Sequence, residues 1–348
     1  MKKSILIPAL GALALAGCGE GNGGGAAGNP IQIVGSSTVY PFTKAVAERF
    51  AQSNPGFAAP IVESTGSGAG IKLFCNGVGN NFPDMANASR RIKASEIEQC
   101  RANGVNKIIE VPVGIDGLVL IQAKGAPAMS LTTEEVYKAL AANPYGKPNT
   151  AKTWRDVNAS LPATPITVFG PPPTSGTRDS FAELIMEKGC DANPEMKTLK
   201  ESDSDKHKDV CTKIREDGAF IEAGENDNLI VQKLEANPGT VGIFGYSYLE
   251  ENLNQLKGLS IDGVAPTYEA ISAFKYPGAR PLFIYIKNAH VGAIPSIKAF
   301  VAEFTKESAF GPRGYLRQAG LIASPNQVRA RSQVAARSLA PLNFASLK

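Results

Sequence analysis

One local plan occurs three times along this chain: an apolar strand leads into a turn of serine, threonine and glycine, and a helix follows. The strands are residues 31–34, 60–63 and 165–169, and the turns after them are residues 35–38, 64–70 and 174–177. Strands that alternate with helices predict parallel sheets, and the turns of such sheets meet at the carboxyl edge, where ligands bind. The sequence therefore predicts an α/β fold with a ligand site assembled from the three turns.

The chemistry of these turns suits an anion. The first backbone N–H groups of a helix have no partner inside the helix, and the helix dipole is positive at that end. Glycine lets the backbone approach a ligand closely, and serine and threonine hydroxyls add uncharged donors. One such turn would be ordinary, because serine and threonine are also preferred at helix starts. Three of them in one chain favour an anion-binding site.

Arginines next to the turns could supply positive charge. Arg178 directly follows the third turn, on the first turn of a helix, where a cation opposes the helix dipole unless an anion is bound there. Ser89 and Arg90 follow another short strand and would face the same sheet edge. Each arginine could instead be an ordinary solvated side chain. We expect this of one of the two adjacent arginines, Arg90 and Arg91.

Asp116 lies between two apolar runs, in Gly114-Ile115-Asp116-Gly117, and two roles are open for it. It could cap a turn. It could instead accept a hydrogen bond from a protonated oxyanion such as hydrogen phosphate, while repelling a fully ionised one such as sulfate.

Two function classes are disfavoured. The net charge of +4 includes Lys2 and Lys3, which leaves too little positive charge for a nucleic-acid footprint. The sequence also lacks the Gly-x-Ser-x-Gly, P-loop and His-Glu-x-x-His motifs of common hydrolases and nucleotide enzymes.

The sequence contains two histidines, His207 and His290. We expect His207 on a charged surface and His290 in a turn, so neither is predicted to be a catalytic base.

The N-terminus predicts export. Two lysines precede an apolar stretch, residues 5–16, that is too short to span a bilayer and is typical of a signal peptide. Cleavage could follow Ala16, but Leu15-Ala16-Gly17-Cys18 resembles a bacterial lipobox, which favours residues 1–17 as a lipoprotein-type signal peptide and lipidation of Cys18. Residues 18–29 would then be a flexible tether, and the protein would lie in the periplasm or cell envelope, anchored through lipid.

The cysteine count supports the same choice. With Cys18 lipidated, four cysteines remain, and four cysteines can pair in three ways. We expect Cys75–Cys100 and Cys190–Cys211, because each pair closes a short local loop. No Cys-x-x-Cys occurs, and no metal site is predicted.

Two apolar strands, residues 117–121 and 281–286, enclose about half of the chain. A domain inserted between two crossing strands gives two lobes with a cleft between them. We expect lobe 1 to contain residues 30–122 and 281–348 and lobe 2 to contain residues 123–280. The hinge crossings are predicted near residues 121–124 and 277–282.

Five motifs follow one another along the chain: Gly35–Pro41, Ser64–Gly70, Thr174–Phe181, Gly242–Tyr246 and Tyr276–Leu282. In this order they resemble the three phosphate loops, the glycine-rich strand and the return crossing of the PstS-type phosphate-binding proteins, the exported receptors of bacterial phosphate ABC transporters. The resemblance extends from about Ile31 to Phe304.

The resemblance implies a two-lobe periplasmic binding protein fold of type II, each lobe a mostly parallel sheet flanked by helices. It implies a monomer that binds inorganic phosphate in the cleft, without cofactor or metal, and delivers it to permease subunits in the inner membrane. The implied contacts to phosphate are Ser37, Thr38, Val39, Ser67, Ser175, Gly176, Thr177 and Arg178.

The chain also departs from the family pattern. It has Ser89 where some members have an aspartate acceptor, and prolines 171–173 where others have an arginine. We therefore add Ser89, Arg90 and Asp116 to the expected site, with Arg90 and Arg178 as cations and Asp116 as acceptor. The alternatives are a receptor for another tetrahedral oxyanion (sulfate or molybdate), an exported phosphatase that uses a loop serine, and an envelope-anchored interaction protein.

Overall fold

The computed structural model describes residues 28–173, 175–223 and 227–344. The predicted signal peptide, Cys18 and most of the predicted tether lie outside these residues. The strands are β1 (Gln32–Gly35), β2 (Ile61–Ser64), β3 (Met85–Ala88), β4 (Ile108–Ala123), β5 (Ser130–Leu131), β6 (Val168–Gly170), β7 (Phe220–Glu222), β8 (Val241–Gly245), β9 (Leu256–Gly258), β10 (Ser260–Ile261) and β11 (Ala279–Lys287).

Helices connect these strands, and most of the connections are short. They are α1 (Tyr40–Ser53), α2 (Ser67–Phe74), α3 (Ala94–Ala102), α4 (Thr133–Leu140), α5 (Trp154–Val157), α6 (Gly176–Phe181), α7 (Glu187–Cys190), α8 (Pro194–Ser202), α9 (Ser204–Thr212), α10 (Asp227–Ala236), α11 (Tyr246–Glu251), α12 (Tyr268–Ser272), α13 (Asn288–Val291), α14 (Ser296–Phe304), α15 (Glu307–Phe310) and α16 (Asn326–Ser338). A π-helical turn, Ala182–Met186, joins α6 to α7. Among the described residues, no helix is both long enough and apolar enough to cross a membrane.

The main sheet has the strand order β2-β1-β3-β11-β4-β8-β6-β7, with β9 also paired to β4. At one end β1 runs parallel to β2 and β3, and at the other end β6 runs parallel to β7 and β8. The antiparallel pair β4–β11 joins the two parallel ends. The predicted α/β class is therefore confirmed, and each of the three predicted strand–turn–helix units forms, as β1–α1, β2–α2 and β6–α6.

The long strand β4 belongs to both halves of the sheet. Its first part, through Gly117, pairs with β11, and its second part, from Leu118 to Ile121, pairs with β8. The turns after β1, β2 and β3 lie at one sheet edge because these strands are parallel. The turn after β6 belongs to the other half of the sheet. The strand order therefore places the turns after β1, β2 and β3 in one half of the sheet and the turn after β6 in the other half.

Three hydrophobic clusters stabilise the two halves. One surrounds Trp154 and Tyr137 in the half that contains β6 to β8. The other two cover opposite faces of the β1–β3 half, one around Phe300 and one around Phe74. Strand β11 shows why both faces are buried: Ile284 enters one of these clusters and Tyr285 enters the other, as the period-2 alternation of a strand requires.

Both expected disulfides are present. Cys75–Cys100 joins the end of α2 to α3, and Cys190–Cys211 joins α7 to α9. The histidines, however, differ from the sequence prediction, because both are buried and paired with aspartates. His207 Nε2 lies 2.7 Å from an Asp191 oxygen, and His290 Nδ1 lies 2.5 Å from an Asp84 oxygen. Each aspartate supplies the polar partner that a buried imidazole needs.

Lys287 is a fully buried lysine whose Nζ donates to the Gly77 carbonyl, 2.7 Å away. Burial lowers its pKa from the ordinary 10.5 to about 8. Between these two values the unfolded chain binds a proton that the folded protein has released. We therefore expect the free energy of unfolding to rise with pH across this window, relative to a Lys287→Met variant.

Urea unfolding at several pH values from about 8 to about 10 tests this expectation. The matched control is Lys298→Met, because Lys298 is exposed on α14. The expectation fails if the wild type and Lys287→Met differ by the same amount throughout the window.

Candidate anion-binding site

The first two turns meet at the carboxyl edge of the β1–β3 half. The N–H groups of Thr65 and Gly66 both donate to the Gly35 carbonyl, at 2.8 and 2.9 Å. The backbones approach so closely that a Cβ on Gly70 would lie 2.3 Å from the Gly35 Cα. Glycine is therefore required at position 70 for the two turns to be adjacent.

Ser67 and Ser89 form a hydrogen-bonded pair beside the first turn. Their hydroxyl oxygens are 3.0 Å apart, and the Ser89 N–H donates to Ser67 Oγ, also at 3.0 Å. Both side chains are buried. Ser67 begins α2 and Ser89 follows β3, so the parallel pairing of the strands brings the two serines together.

The third turn reaches the first turn from the other half of the sheet. Ser175 caps α6, since its Oγ accepts from the Thr177 N–H at 3.2 Å. Thr38 Oγ1 donates to the Gly176 carbonyl at 3.1 Å, and Ser37 Oγ donates to the Asp179 carboxylate. The structure thus brings together two turns that are about 140 residues apart in sequence.

Two cavities have Ser37 and Thr38 in their walls. The second-loop cavity, about 450 Å³, is lined by Ser36, Ser37, Thr38, residues 64–69, Ser89, Asp179, Glu183 and Lys208. The third-loop cavity, about 560 Å³, includes Ser37, Thr38, Asp116, Ser175, Gly176 and Thr177 in its lining. Most of the expected site residues therefore line one cavity or the other. Val39 lines neither, and its N–H donates to Ser36 Oγ.

The two arginines expected to provide positive charge are engaged elsewhere. Arg90 donates to both oxygens of Glu96, at 2.9 and 2.6 Å, and this hydrogen-bonded pair raises the pKa of Arg90. Arg178 lies over the Phe220 ring, 4.4 Å from its centroid, and donates to the Pro171 carbonyl; burial lowers its pKa. Neither arginine lines the two cavities.

Arg280 is the cation that the sequence prediction missed. It is 4% exposed, and its Nη2 donates to Thr38 Oγ1 at 2.6 Å. Its other partners are Asp116, at 3.1 Å, Glu183, at 2.7 Å, and the hydroxyl of Ser180. The sequence signal for Arg280 was its position at the start of an apolar strand. Its partners could not be predicted from that position, because they follow from the register that places Arg280 opposite Asp116.

Asp116 therefore has a different environment from the one expected of a ligand acceptor. Its Oδ2 accepts from Arg280 and, at 2.8 Å, from Ser180. The carboxylate is only partly exposed and already has a cation as its partner.

Lys208 is a second cation that the sequence analysis did not assign to the site. It is exposed on α9 and lines the second-loop cavity.

Comparison with known proteins identifies the family. The family model described as the PBP superfamily domain matches residues 20–308. The chain belongs to the PBP superfamily. A relative named Protein SphX, from Synechococcus elongatus, is 37% identical over 262 residues, which cover 73% of this chain and 67% of that protein. The phosphate-binding protein PstS of Staphylococcus aureus (strain USA300) is 30% identical over 330 residues, covering 92% of this chain and 87% of PstS.

Solved structures of this superfamily agree with the fold. A possible phosphate binding protein from Planctomyces limnophilus matches with a TM-score of 0.71 and 29% identity, over 89% of this chain and 98% of that one. A phosphate ABC transporter substrate-binding protein from Clostridium perfringens has a TM-score of 0.53 at 22% identity, which shows the fold alone. The predicted periplasmic binding protein fold of type II is confirmed.

Proposed function

We propose that this protein binds inorganic phosphate outside the cytoplasmic membrane and delivers it to the permease of an ABC transporter. The observation that carries the proposal is the contact between the first and third turns, which come from the two halves of the sheet. Around this contact lie hydroxyl groups and helix starts, which are the groups that bind phosphate without a metal. The relatives named phosphate-binding protein PstS support the choice of anion.

Closure of two lobes on the anion is the proposed mechanism. Lobe 1 would contain residues 30–122 and 281–348, and lobe 2 residues 123–280. Strand β4 changes partner between Gly117 and Leu118, which favours a hinge a few residues before the predicted 121–124. An anion that contacts both lobes stabilises the closed state, and a permease can recognise that state.

The site favours binding over catalysis. The alternative of an exported phosphatase needs a base beside a loop serine. Neither histidine lines the two cavities. The group beside Ser37 is the Asp179 carboxylate, and carboxylates are weaker bases than imidazole. We propose a periplasmic or envelope location, a lipid anchor at Cys18 and a monomeric state. Transport by a receptor of this kind requires no cofactor.

Calorimetric titration of the mature protein, stripped of bound anion, tests the proposal. We expect one phosphate per chain with a sub-micromolar Kd, equivalent to a binding free energy beyond about −8 kcal/mol. Ser67→Ala removes a hydroxyl of the second turn and should weaken binding about tenfold or more, because hydrogen bonds to charged groups contribute about 1.5–3 kcal/mol. The matched control is Ser202→Ala, on the exposed end of α8.

No heat and no thermal shift with phosphate would contradict the proposal. Hydrolysis of a phosphate ester that is abolished by Ser37→Ala would support the phosphatase instead. Equal binding of sulfate and phosphate would leave a general oxyanion receptor.

A further inference from the structure

Another cavity, which we call the junction cavity, lies where the two halves of the main sheet meet. Its volume is about 350 Å³, which is within the usual size range of small-molecule sites. Its lining comes from α11, from α12 and from residues 312–323. It shares Ser247 and Arg317 with the third-loop cavity but includes none of the three turns assigned to the anion. The proposed function gives this cavity no role.

The lining of the junction cavity belongs to both halves of the sheet. Helix α11 directly follows β8, whereas Ile322 exchanges backbone hydrogen bonds with Ile115 of β4, at 2.9 and 3.0 Å. An ion pair between Arg317 and Glu250, at 2.6 Å, joins the two parts of the lining. Ile115 lies just before the point at which β4 changes partner, so a movement between the halves changes the shape of this cavity.

The uncharged part of the lining is apolar and aromatic. Leu321, Ile322 and Ala323 are buried, and so is the ring of Tyr246. Tyr268 is more exposed, and its hydroxyl donates to the Ala323 carbonyl at 3.3 Å, which holds the ring at the cavity. Apolar side chains suit an alkyl chain, and the faces of aromatic rings attract ammonium and guanidinium ions.

The charged part of the lining has one carboxylate in excess. The charged residues among the described lining are Glu250, Glu269 and Arg317, and Arg317 is already paired with Glu250. Within the ranges that the structure describes, no lysine, arginine or histidine lies within ion-pair distance of Glu269. Burial raises the pKa of the Tyr246 hydroxyl, and the two nearby carboxylates raise it further. The potential in the cavity is therefore negative, which favours a cation.

We propose that the junction cavity binds an organic cation, an alkylguanidinium or alkylammonium ion whose charged group pairs with Glu269 and whose alkyl chain covers Leu321 and Ile322. Such a ligand contacts both halves of the sheet, so it stabilises the arrangement in which the first and third turns meet. This coupling rests on the proposed function. Occupancy of the cavity raises the affinity for phosphate, and phosphate raises the affinity for the cation by the same factor.

Direct titration of the mature protein with butylguanidinium tests the site, by calorimetry and by ligand-observed NMR. Butylurea is the matched neutral compound, because it has nearly the same shape without the charge. We expect butylguanidinium to bind with a millimolar or lower Kd and butylurea to bind about tenfold more weakly. Glu269→Gln should weaken binding of the cation about fivefold, as expected for one ion pair at an exposed position. Glu98→Gln, exposed on α3 and outside the cavity, is the matched control.

Two variants of Tyr268 test the aromatic contact. Tyr268→Phe keeps the ring and removes the hydroxyl, and it should bind butylguanidinium as the wild type does. Tyr268→Leu keeps an apolar side chain without the ring face, and it should bind this cation more weakly. Equal binding by the two variants would overturn the assignment of the ring to the cation.

The coupling is measured by titration with phosphate in saturating butylguanidinium chloride and in sodium chloride at the same concentration. We expect the Kd for phosphate to be about fivefold lower with the organic cation in the wild type, and to be the same in both salts in Glu269→Gln. The same Kd in both salts for the wild type would overturn the coupling.

The site itself is overturned if butylurea binds as tightly as butylguanidinium, or if Glu269→Gln binds the cation as the wild type does. Failure of the wild type to bind phosphate would instead contradict the proposed function. The direct titration with butylguanidinium needs no phosphate, so the two failures are distinguishable.

Discussion

Replacing Gly176 with alanine should lower the affinity for phosphate by about a hundredfold. A Cβ at this position would lie 2.6 Å from the Thr38 nitrogen and 2.7 Å from the Ser37 carbonyl carbon, and both of these are backbone atoms that cannot rotate away. The added methyl group must therefore hold the third turn away from the first. Overpacking costs about 1–3 kcal/mol, and the upper end applies here because both clashes are with backbone atoms; 3 kcal/mol corresponds to about a hundredfold in Kd.

The change should affect binding and not folding, because separation of the two turns relieves the clash. Calorimetry should show the weaker binding, while the melting temperature without phosphate should stay within a few degrees of the wild type. Gly292→Ala is the matched control, because Gly292 lies outside both cavities at the end of α13 and nothing lies within 4 Å of the Cβ that the change would add. Wild-type affinity in Gly176→Ala would show that the two turns do not need this contact to bind the anion.

Arg280→Met should produce the largest loss of stability among single changes at the site. The substitution leaves Asp116 partly buried without its cation and removes the donor to Thr38 and Ser180. Removing one partner of a buried ion pair costs about 3–5 kcal/mol. Urea unfolding followed by far-UV circular dichroism, and by fluorescence of the buried Trp154, measures the effect.

Arg317→Met gives the comparison. Arg317 pairs with Glu250 at 2.6 Å, but its side chain is 52% exposed, and pairs of this kind contribute at most about 1 kcal/mol. The double variant Arg280→Met/Asp116→Asn should recover part of the loss, since the uncompensated charge is then gone. Equal losses in the two arginine variants would show that burial is not what makes the Arg280 pair important.

The local elements of the site were predictable from the sequence. Each predicted turn of serine, threonine and glycine precedes a helix in the structure, and Ser175 caps α6. The pairing of Cys75 with Cys100 also followed from short separation along the chain. These features depend on backbone propensity, on capping and on the period of apolar residues, all of which act over a few neighbouring positions.

The ion pairs of the site were predicted less well. Arg90 and Arg178 follow the right turns, but Arg90 pairs with Glu96, six residues away, and Arg178 lies over Phe220. The pairing of Arg90 with Glu96 had a local signal, because Glu96 occupies the third position of α3, where it also accepts from the Lys93 N–H. Proximity to a turn was therefore not sufficient to assign a guanidinium to the ligand.

The α/β class, the three turns and the hydroxyl groups they present follow from local sequence patterns. Which charges face the cavities depends on the tertiary arrangement. Arg280 meets Asp116 across 164 residues because β11 and β4 pair in one register, and Asp179 meets Ser37 across 142 residues because α6 and α1 start beside one another. The effect of a charge depends on its burial and on its neighbours within a few ångströms, and both are set by long-range packing.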